Sequence, residues 1–197
     1  MRTVQLVFSL AVVAIIVGCA HPLAINPDIA KIERESSIQP IAKNIGYYIA
    51  PDVRERSVTT PGGGGDSVTY FPYKDIEAGF YKMLSNVFQN VTQLKSPNDA
   101  NTIGKQSITY VITPEITTDS SSPSPFTWAP TRFSLNLTCS ISDNGGKLVT
   151  KTSVRGEGQA EYDEFKSDFS LAGNRAAQDA LLKMQSTLLR LPELRSQ

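Results

Sequence analysis

The chain has 197 residues, with 19 basic and 19 acidic side chains, one histidine and two cysteines. This length is enough for one domain with a real hydrophobic core. Because the sequence has no basic block or stripe that could follow a phosphate backbone, its composition predicts no nucleic-acid partner.

The N-terminal residues have the features of an export signal. Arg2 gives a short cationic start, and residues 4–17 are almost entirely apolar. A helix of about fourteen residues rises only ~21 Å, which is too short for a hydrocarbon core of ~30 Å. The length and the flanks therefore favour a secretory signal peptide, residues 1–18, with an uncleaved membrane anchor as the alternative.

The apolar run ends in Ile16, Val17, Gly18 and Cys19. These four residues resemble a bacterial lipobox, which implies cleavage before Cys19, a diacylglycerol on its thiol and an N-acyl chain such as palmitate on its amine. Two or more acyl chains hold a protein stably on a membrane. Ala20 in the next position is similar to the outer-membrane sorting signal, which implies a protein on the periplasmic side of that membrane. The alternative is an ordinary signal peptide in which Cys19 is incidental.

The next segment, residues 19–43, has the composition of a tether. Pro22, Pro27 and Pro40 interrupt it, and a flexible chain of this length would reach roughly 25–30 Å. Ile29 and Ile32 leave open a short helix that lies on the body of the protein. We expect the folded domain at residues 44–192 and a short tail at 193–197.

The first half of the domain predicts two strands and a helix. Residues 45–50 alternate as a strand, and the glycines at 62–65 precede a second short strand around Val68 and Tyr70. Asp66 stands where a phosphate-binding loop would need a lysine, so the glycines predict a flexible hairpin tip. From residue 76 to 91 the apolar positions follow the helical period and predict an amphipathic helix.

The second half predicts three strands and a last helix. Residues 108–112 alternate, and Pro114 indicates an edge position or a bulge. Residues 133–141 alternate cleanly, and the Asp-Asn-Gly-Gly turn at 143–146 leads into a long strand over 147–162. An apolar stripe then predicts a helix from about residue 170 to Leu191. The order β-β-α-β-β-β-α predicts a single α+β domain, a mostly antiparallel sheet with two helices packed on one face.

The sequence offers few residues for catalysis. The only histidine, His21, lies two residues from the predicted lipid, where we expect that it cannot be fixed in a folded site. Cys139 falls on the apolar side of its strand, so we expect a buried thiol, no disulfide and no zinc site. We therefore expect no enzyme, no metal and no cofactor beyond the acyl chains. One acidic group resembles a solvated strand end more than a calcium loop; it comprises Glu157, Glu161, Asp163, Glu164 and Asp168.

The connection over residues 120–130 is the most suggestive feature outside the predicted core. It is rich in proline and carries Phe126 and Trp128, which is the only tryptophan of the chain. Aromatic side chains on a stiffened loop are good anchors for a partner or a membrane surface. The alternative is that Trp128 folds back over the sheet edge and packs there.

The lipobox at residues 16–19, the tether and the predicted topology together resemble the YajG-type family of small bacterial lipoproteins. They are also similar to the auxiliary lipoproteins of envelope lipid transport and lipopolysaccharide assembly. The first resemblance implies a non-catalytic accessory protein that binds another envelope protein or peptidoglycan through its sheet edge or the Phe126 and Trp128 loop. The second implies a lipid-binding module with an apolar groove between helix and sheet. An enzyme is the third hypothesis, with Glu161 and Asp163 as its candidates.

Overall fold

A computed structural model describes residues 20–34 and 38–195. Within these ranges the strands are β1 (Ala20–Pro22), β2 (Ile41–Tyr47), β3 (Val58–Pro61), β4 (Ser67–Tyr70), β5 (Phe88–Gln93), β6 (Tyr110–Ser121), β7 (Arg132–Asp143) and β8 (Leu148–Gln159). The α-helices are α1 (Pro51–Arg54), α2 (Pro72–Val87), α3 (Ala100–Lys105), α4 (Tyr162–Phe165) and α5 (Leu171–Arg190). Single 3-10 turns lie at Ile29–Lys31 and Pro192–Leu194. The prediction of a single α+β domain is confirmed.

The main sheet has the strand order β5-β2-β6-β7-β8. The three long strands β6, β7 and β8 pair antiparallel, as the sequence predicts. In contrast, β2 runs parallel to both of its neighbours, so the sheet as a whole is mixed. β2 and β5 are parallel because α2, which lies between them in the chain, carries the chain back over the sheet. Pairing between β2 and β6 stops at Ile112, two residues before Pro114, which agrees with the predicted local edge.

The two long helices, α2 and α5, pack on one face of this sheet and on each other. The predicted apolar sides of α2, β7 and α5 all enter one core, which includes Phe80, Leu135 and Leu181. At Gly158 in β8, an added Cβ would collide with the backbone of α5. Gly156 and Gly158 therefore let α5 lie directly against β8.

A smaller sheet packs at one end of the main sheet and has the order β1-β4-β3. Its β3–β4 hairpin turns through the glycine run, as predicted, with positive φ at Gly64 (65°) and Gly65 (89°). β1 runs parallel to β4 and places the first described residues at this hairpin.

The segment that leads into β2 is folded onto the domain. Ile25 and Ile32 are fully buried. Asn86 of α2 donates from Nδ2 to the carbonyl of Ile32 (2.9 Å), and Gln185 of α5 donates from Nε2 to the carbonyl of Glu33 (2.8 Å). The prediction of a flexible tether is therefore wrong for residues 20–34, because isolated isoleucines reach the core and buried amides bind the backbone. The alternative of a short helical turn agrees with the 3-10 turn at Ile29–Lys31.

Element boundaries also differ from the sequence predictions. The first strand of the main sheet is Ile41–Tyr47 and not residues 45–50, so the domain begins before residue 44. The long helix ends at Val87, and Val91 lies in β5, a strand that the sequence analysis missed. At the other end, Leu194 is buried, so the predicted tail begins as part of the fold.

Candidate functional site

The predicted lipidation motif, Ile16, Val17, Gly18 and Cys19, lies outside the described residues, so its role stays a prediction. The first described residue is Ala20, which is exposed and pairs with Ser67, the first residue of β4. The chain therefore enters the domain at its surface, at the residue that directly follows Cys19 in the sequence.

The loop between β6 and β7, residues 122–131, is held against the glycine turn of the small sheet. The Gly63 N–H donates to the carbonyl of Trp128 (2.9 Å), and the Gly64 N–H donates to the carbonyl of Ser124 (3.2 Å). An added Cβ at Gly63 would collide with the carbonyl of Thr127. The predicted hairpin tip is present, but the prediction that it is flexible is wrong, because it is fixed against the loop and its glycines permit this close approach of two backbones.

The two aromatic residues of the loop differ in environment. The Trp128 ring lies between His21, with centroids 4.3 Å apart, and Phe169, at 4.7 Å. It is half-buried and packs against the main core, in agreement with the packing alternative. The Phe126 side chain is 94% exposed. Phe126 is therefore the free aromatic group of this loop.

Two further aromatic side chains are exposed at the same end of the molecule. Tyr162 is 64% exposed and Phe169 is 43% exposed. The segment after β8 joins the loop through a hydrogen bond from the Ala160 N–H to the carbonyl of Thr131 (3.0 Å). We call the group Phe126, Trp128, Tyr162 and Phe169 the aromatic pole. Sequence reasoning missed Tyr162 and Phe169 because tertiary packing alone brings them to the loop.

The expectation that His21 cannot be fixed in a folded site is wrong. Its ring stacks on Trp128, and its Nε2 lies 3.6 Å from the Asp66 carboxylate. β1 holds the residue in place because it is paired along its length with β4. A Ser–His or Cys–His nucleophilic pair would need a hydroxyl or thiol beside the imidazole. Among the described residues, the His21 ring instead contacts the Trp128 indole and the Asp66 carboxylate.

The acidic group, which runs from Glu157 near the end of β8 to Asp168, forms exposed ion pairs and helix caps. Arg175 donates from Nη2 to Glu164 Oε1 (2.8 Å), and Lys166 donates from Nζ to Asp163 Oδ1 (2.7 Å). The hydrogen bond from Arg175 lowers the pKa of Glu164 to about 2. Glu161 caps α4 by a reciprocal capping box with Glu164. The interpretation as a solvated strand end agrees with these contacts.

Cys139 lies in the core, and burial raises the pKa of its thiol to about 12. This keeps the thiol protonated and hence a poor nucleophile. Within residues 20–34 and 38–195, no three His, Cys, Asp or Glu side chains lie close enough together to hold a metal ion. No helix in the same ranges combines the length and the apolar character needed to cross a bilayer.

β8 forms one edge of the main sheet, and no strand of the described ranges pairs with its outer side. Side chains of α5 bind the backbone along the half near the aromatic pole. Arg175 donates to the Gln159 carbonyl (2.7 Å), and the Glu157 N–H donates to Asp179 Oδ2 (2.9 Å). The other half of the strand, residues 148–153, carries the exposed apolar side chains of Leu148 and Val149. We call residues 148–153 the open edge.

The lipid-binding hypothesis predicts an apolar groove between helix and sheet, and the structure has a groove between α2 and β2. Tyr47, Arg54, Glu77 and Tyr81 line it, and Arg54 forms an ion pair with Glu77 across it. Burial and the neighbouring Glu77 raise the pKa of Tyr47 to about 12. The groove is open to solvent, and the charged side chains of Arg54, Glu77 and Lys82 lie among its apolar lining, whereas the pockets that bind small molecules are largely enclosed.

The fold is similar to those of two solved bacterial proteins. One is a protein of the family DUF330 from Xanthomonas campestris, with a TM-score of 0.49 and 10% identity over 87% of this chain and 91% of that chain. The other is a minor lipoprotein from Acinetobacter baumannii, with a TM-score of 0.45 and 12% identity over 76% of this chain and 93% of that chain. No protein-family model matches the chain, and neither does a curated protein.

Proposed function

We propose that the chain is a lipid-anchored bacterial envelope protein without catalytic activity, held at the periplasmic face of the outer membrane. The observation that carries this proposal is the entry of the chain into the fold. Ala20 is exposed at the surface and directly follows Cys19, the last residue of the lipobox-like motif. Acyl chains on the residue before Ala20 would be attached at the surface of the domain, and two or more chains give stable anchoring.

The absence of catalysis is a proposal supported by the state of the reactive groups. The buried Cys139 thiol has a pKa raised to about 12, and Glu164 is held by Arg175. The chemistry on the exposed surface is thus that of ion pairs and caps. A binding role suits such a surface better than acid–base or nucleophilic catalysis, which needs perturbed groups in a cleft.

We assign binding of an envelope protein to the open edge. An unpaired strand presents backbone N–H and C=O groups that a strand of another chain can pair with. The Glu157 N–H points outward, since it reaches Asp179 of α5. Because backbone direction repeats every two residues, the N–H groups of Ser153 and Lys151 point outward as well. Leu148 and Val149 supply apolar contacts beside them.

Fractionation tests the anchor. The unaltered protein is expected in the membrane fraction with incorporated palmitate, and the Cys19→Ala variant is expected as an unprocessed precursor or a soluble chain without palmitate. Export of the wild type as a soluble protein without acyl chains would contradict the proposal.

Site-specific photocrosslinking in cells tests the partner surface. A crosslinker at Lys151 is expected to give one discrete protein adduct, and a crosslinker at the exposed Lys105 of α3 serves as the matched control. Lys151→Pro removes an outward N–H without breaking the β7 ladder and is expected to abolish binding of the captured protein. Equal adducts at both positions, or adducts to peptidoglycan alone, would show that this edge does not bind a protein.

A further inference from the structure

We propose that the aromatic pole lies against the bilayer that holds the acyl chains, so that Phe126 inserts between lipids and fixes the orientation of the domain. This proposal rests on the proposed lipidation of Cys19. It assigns Phe126 to the membrane surface and leaves the open edge for a protein partner.

The first argument is that the predicted anchor, Cys19, directly precedes the first strand of the fold. Cys19 is bonded to Ala20, and Ala20 already pairs with Ser67 in the small sheet. Because no residue separates the cysteine from the first strand, the domain has no slack that would let it move away from its acyl chains. A flexible linker of n residues spans roughly 5–6 Å × √n, and here this spacer is missing. The face around β1 must therefore lie next to the lipid.

The second argument is that the aromatic pole belongs to this face. His21, the second residue of β1, stacks on Trp128 with centroids 4.3 Å apart. Phe126 is two residues from Trp128, a distance of about 7 Å along an extended chain. Hydrogen bonds from the glycine turn to the carbonyls of Trp128 and Ser124 hold the loop at this place. The backbone that carries the exposed Phe126 ring is thus held close to the anchoring point.

The third argument is chemical. A fully exposed phenylalanine is unusual on a surface that faces water, whereas aromatic side chains concentrate at membrane interfaces. Residues 120–131 carry no charge, so the loop meets no cost of burying an ion when it enters the headgroup region. Burial of one phenylalanine favours the membrane-bound orientation roughly tenfold or more.

Charge then specifies the kind of lipid surface. Carboxylates of Glu161, Asp163 and Asp168 lie beside Tyr162 and Phe169 in the sequence and are exposed. Lys166 is paired with Asp163, and the exposed Arg132 at the end of the loop lines the same cleft as the Glu161 carboxylate, so neither cation leaves an excess of positive charge. The contact therefore depends on aromatic insertion and is expected to gain nothing from anionic lipid.

The test uses the full-length lipidated protein in phosphatidylcholine vesicles whose acyl chains carry bromine, which quenches nearby tryptophan. The chain has one tryptophan, so Trp128→Phe gives a background in which a new probe can be placed. Phe126→Trp is the probe at the aromatic pole. Leu148→Trp is the control at another exposed site (55% exposed, against 94% for Phe126), because it lies at the opposite end of β8, about 35 Å from the end that joins the aromatic pole.

We expect Phe126→Trp to be quenched at least twofold more than Leu148→Trp, with both variants sedimenting with the vesicles. Native Trp128 in the unaltered protein is expected to be quenched to an intermediate degree, which checks the result without any substitution. Equal quenching at both probes, or none at Phe126→Trp in a protein that sediments with the vesicles, would overturn the proposal and leave the aromatic pole to a protein partner.

A second measurement separates this proposal from the proposed function. The chain from residue 19 onward with Cys19→Ser has neither the apolar residues 4–17 nor an acyl acceptor thiol, and its weak binding to phosphatidylcholine vesicles is expected to fall about tenfold on Phe126→Ser. Addition of phosphatidylglycerol is expected not to strengthen binding, and a strong increase would contradict aromatic insertion. If the wild type proves to carry no acyl chains, the anchoring proposal fails, whereas the loss caused by Phe126→Ser still decides the membrane contact.

Discussion

Replacement of Ile25 by alanine tests whether the segment after Cys19 is part of the fold. Ile25 is 0% exposed, and its Cγ1 lies against Gly173 of α5. Each of the three carbons removed contributes roughly 0.8 kcal/mol of transfer free energy, so about 2.4 kcal/mol is lost before any cavity forms. With the cavity, the free energy of unfolding is expected to fall by about 2–5 kcal/mol.

The matched control is Ile29→Ala, the same substitution four residues later at a side chain that is 43% exposed. It is expected to change the free energy of unfolding by less than about 1 kcal/mol. Urea denaturation of the mature chain with Cys19→Ser, followed by circular dichroism, measures both variants. For Ile25→Ala the midpoint is expected to fall by about 1 M or more at unchanged slope. A fall no larger than that of Ile29→Ala would show that residues 20–34 are a tether after all.

Three further predictions concern the core, an ion pair and helix packing. Cys139 is expected to resist maleimide at pH 8 until the protein is unfolded in urea, because burial raises its pKa to about 12; rapid labelling of the native protein would refute its burial. The pKa of Glu164 is lowered to about 2, so its ionised form stabilises the fold above its usual pKa of 4.5, and this contribution is lost as the pH falls towards about 2. The melting temperature of Glu164→Gln is accordingly expected to fall less between pH 5 and pH 2 than that of the wild type, and parallel curves would count against the pair. Gly158→Ala is expected to lower the free energy of unfolding by about 1–3 kcal/mol in chemical denaturation, whereas Gly104→Ala, with open space around it, is expected to be tolerated; equal effects would argue against close packing of α5 on β8.

The elements that the sequence predicts well are those with a long apolar period. The stripe of α2, the alternation of β7 and the stripe of α5 each extend over many residues, and each faces one core. β5 was missed because Phe88–Gln93 follows α2 directly and is mostly polar. It forms a strand because it pairs with β2, and this pairing produces no pattern in the sequence of residues 88–93 itself.

The N-terminal segment shows a second limit of local patterns. Ile25 and Ile32 are single apolar residues among prolines and charges, so their burial produces no period in the sequence. Their places in the core depend on α2 and α5, which follow much later in the chain. The prolines indicate an irregular backbone, and an irregular backbone can still be packed.

The candidate site was predicted in part. The sequence singles out Phe126 and Trp128 as aromatic residues on a proline-rich loop, and it leaves their environments open. The structure separates them because His21 and Phe169 enclose Trp128, whereas Phe126 projects from the loop. These contacts join three distant parts of the chain, so no spacing in the sequence could have predicted them. The covering of one half of the β8 edge by α5 side chains was equally beyond a local pattern.

The central claim is that acyl chains on Cys19 hold the domain at a membrane. Mass spectrometry of the N-terminal peptide from protein purified out of the membrane fraction tests it most directly. The peptide is expected to begin at Cys19 and to carry the mass of a diacylglycerol and one N-acyl chain. A peptide that begins at another residue, or one whose Cys19 is unmodified, would contradict the claim.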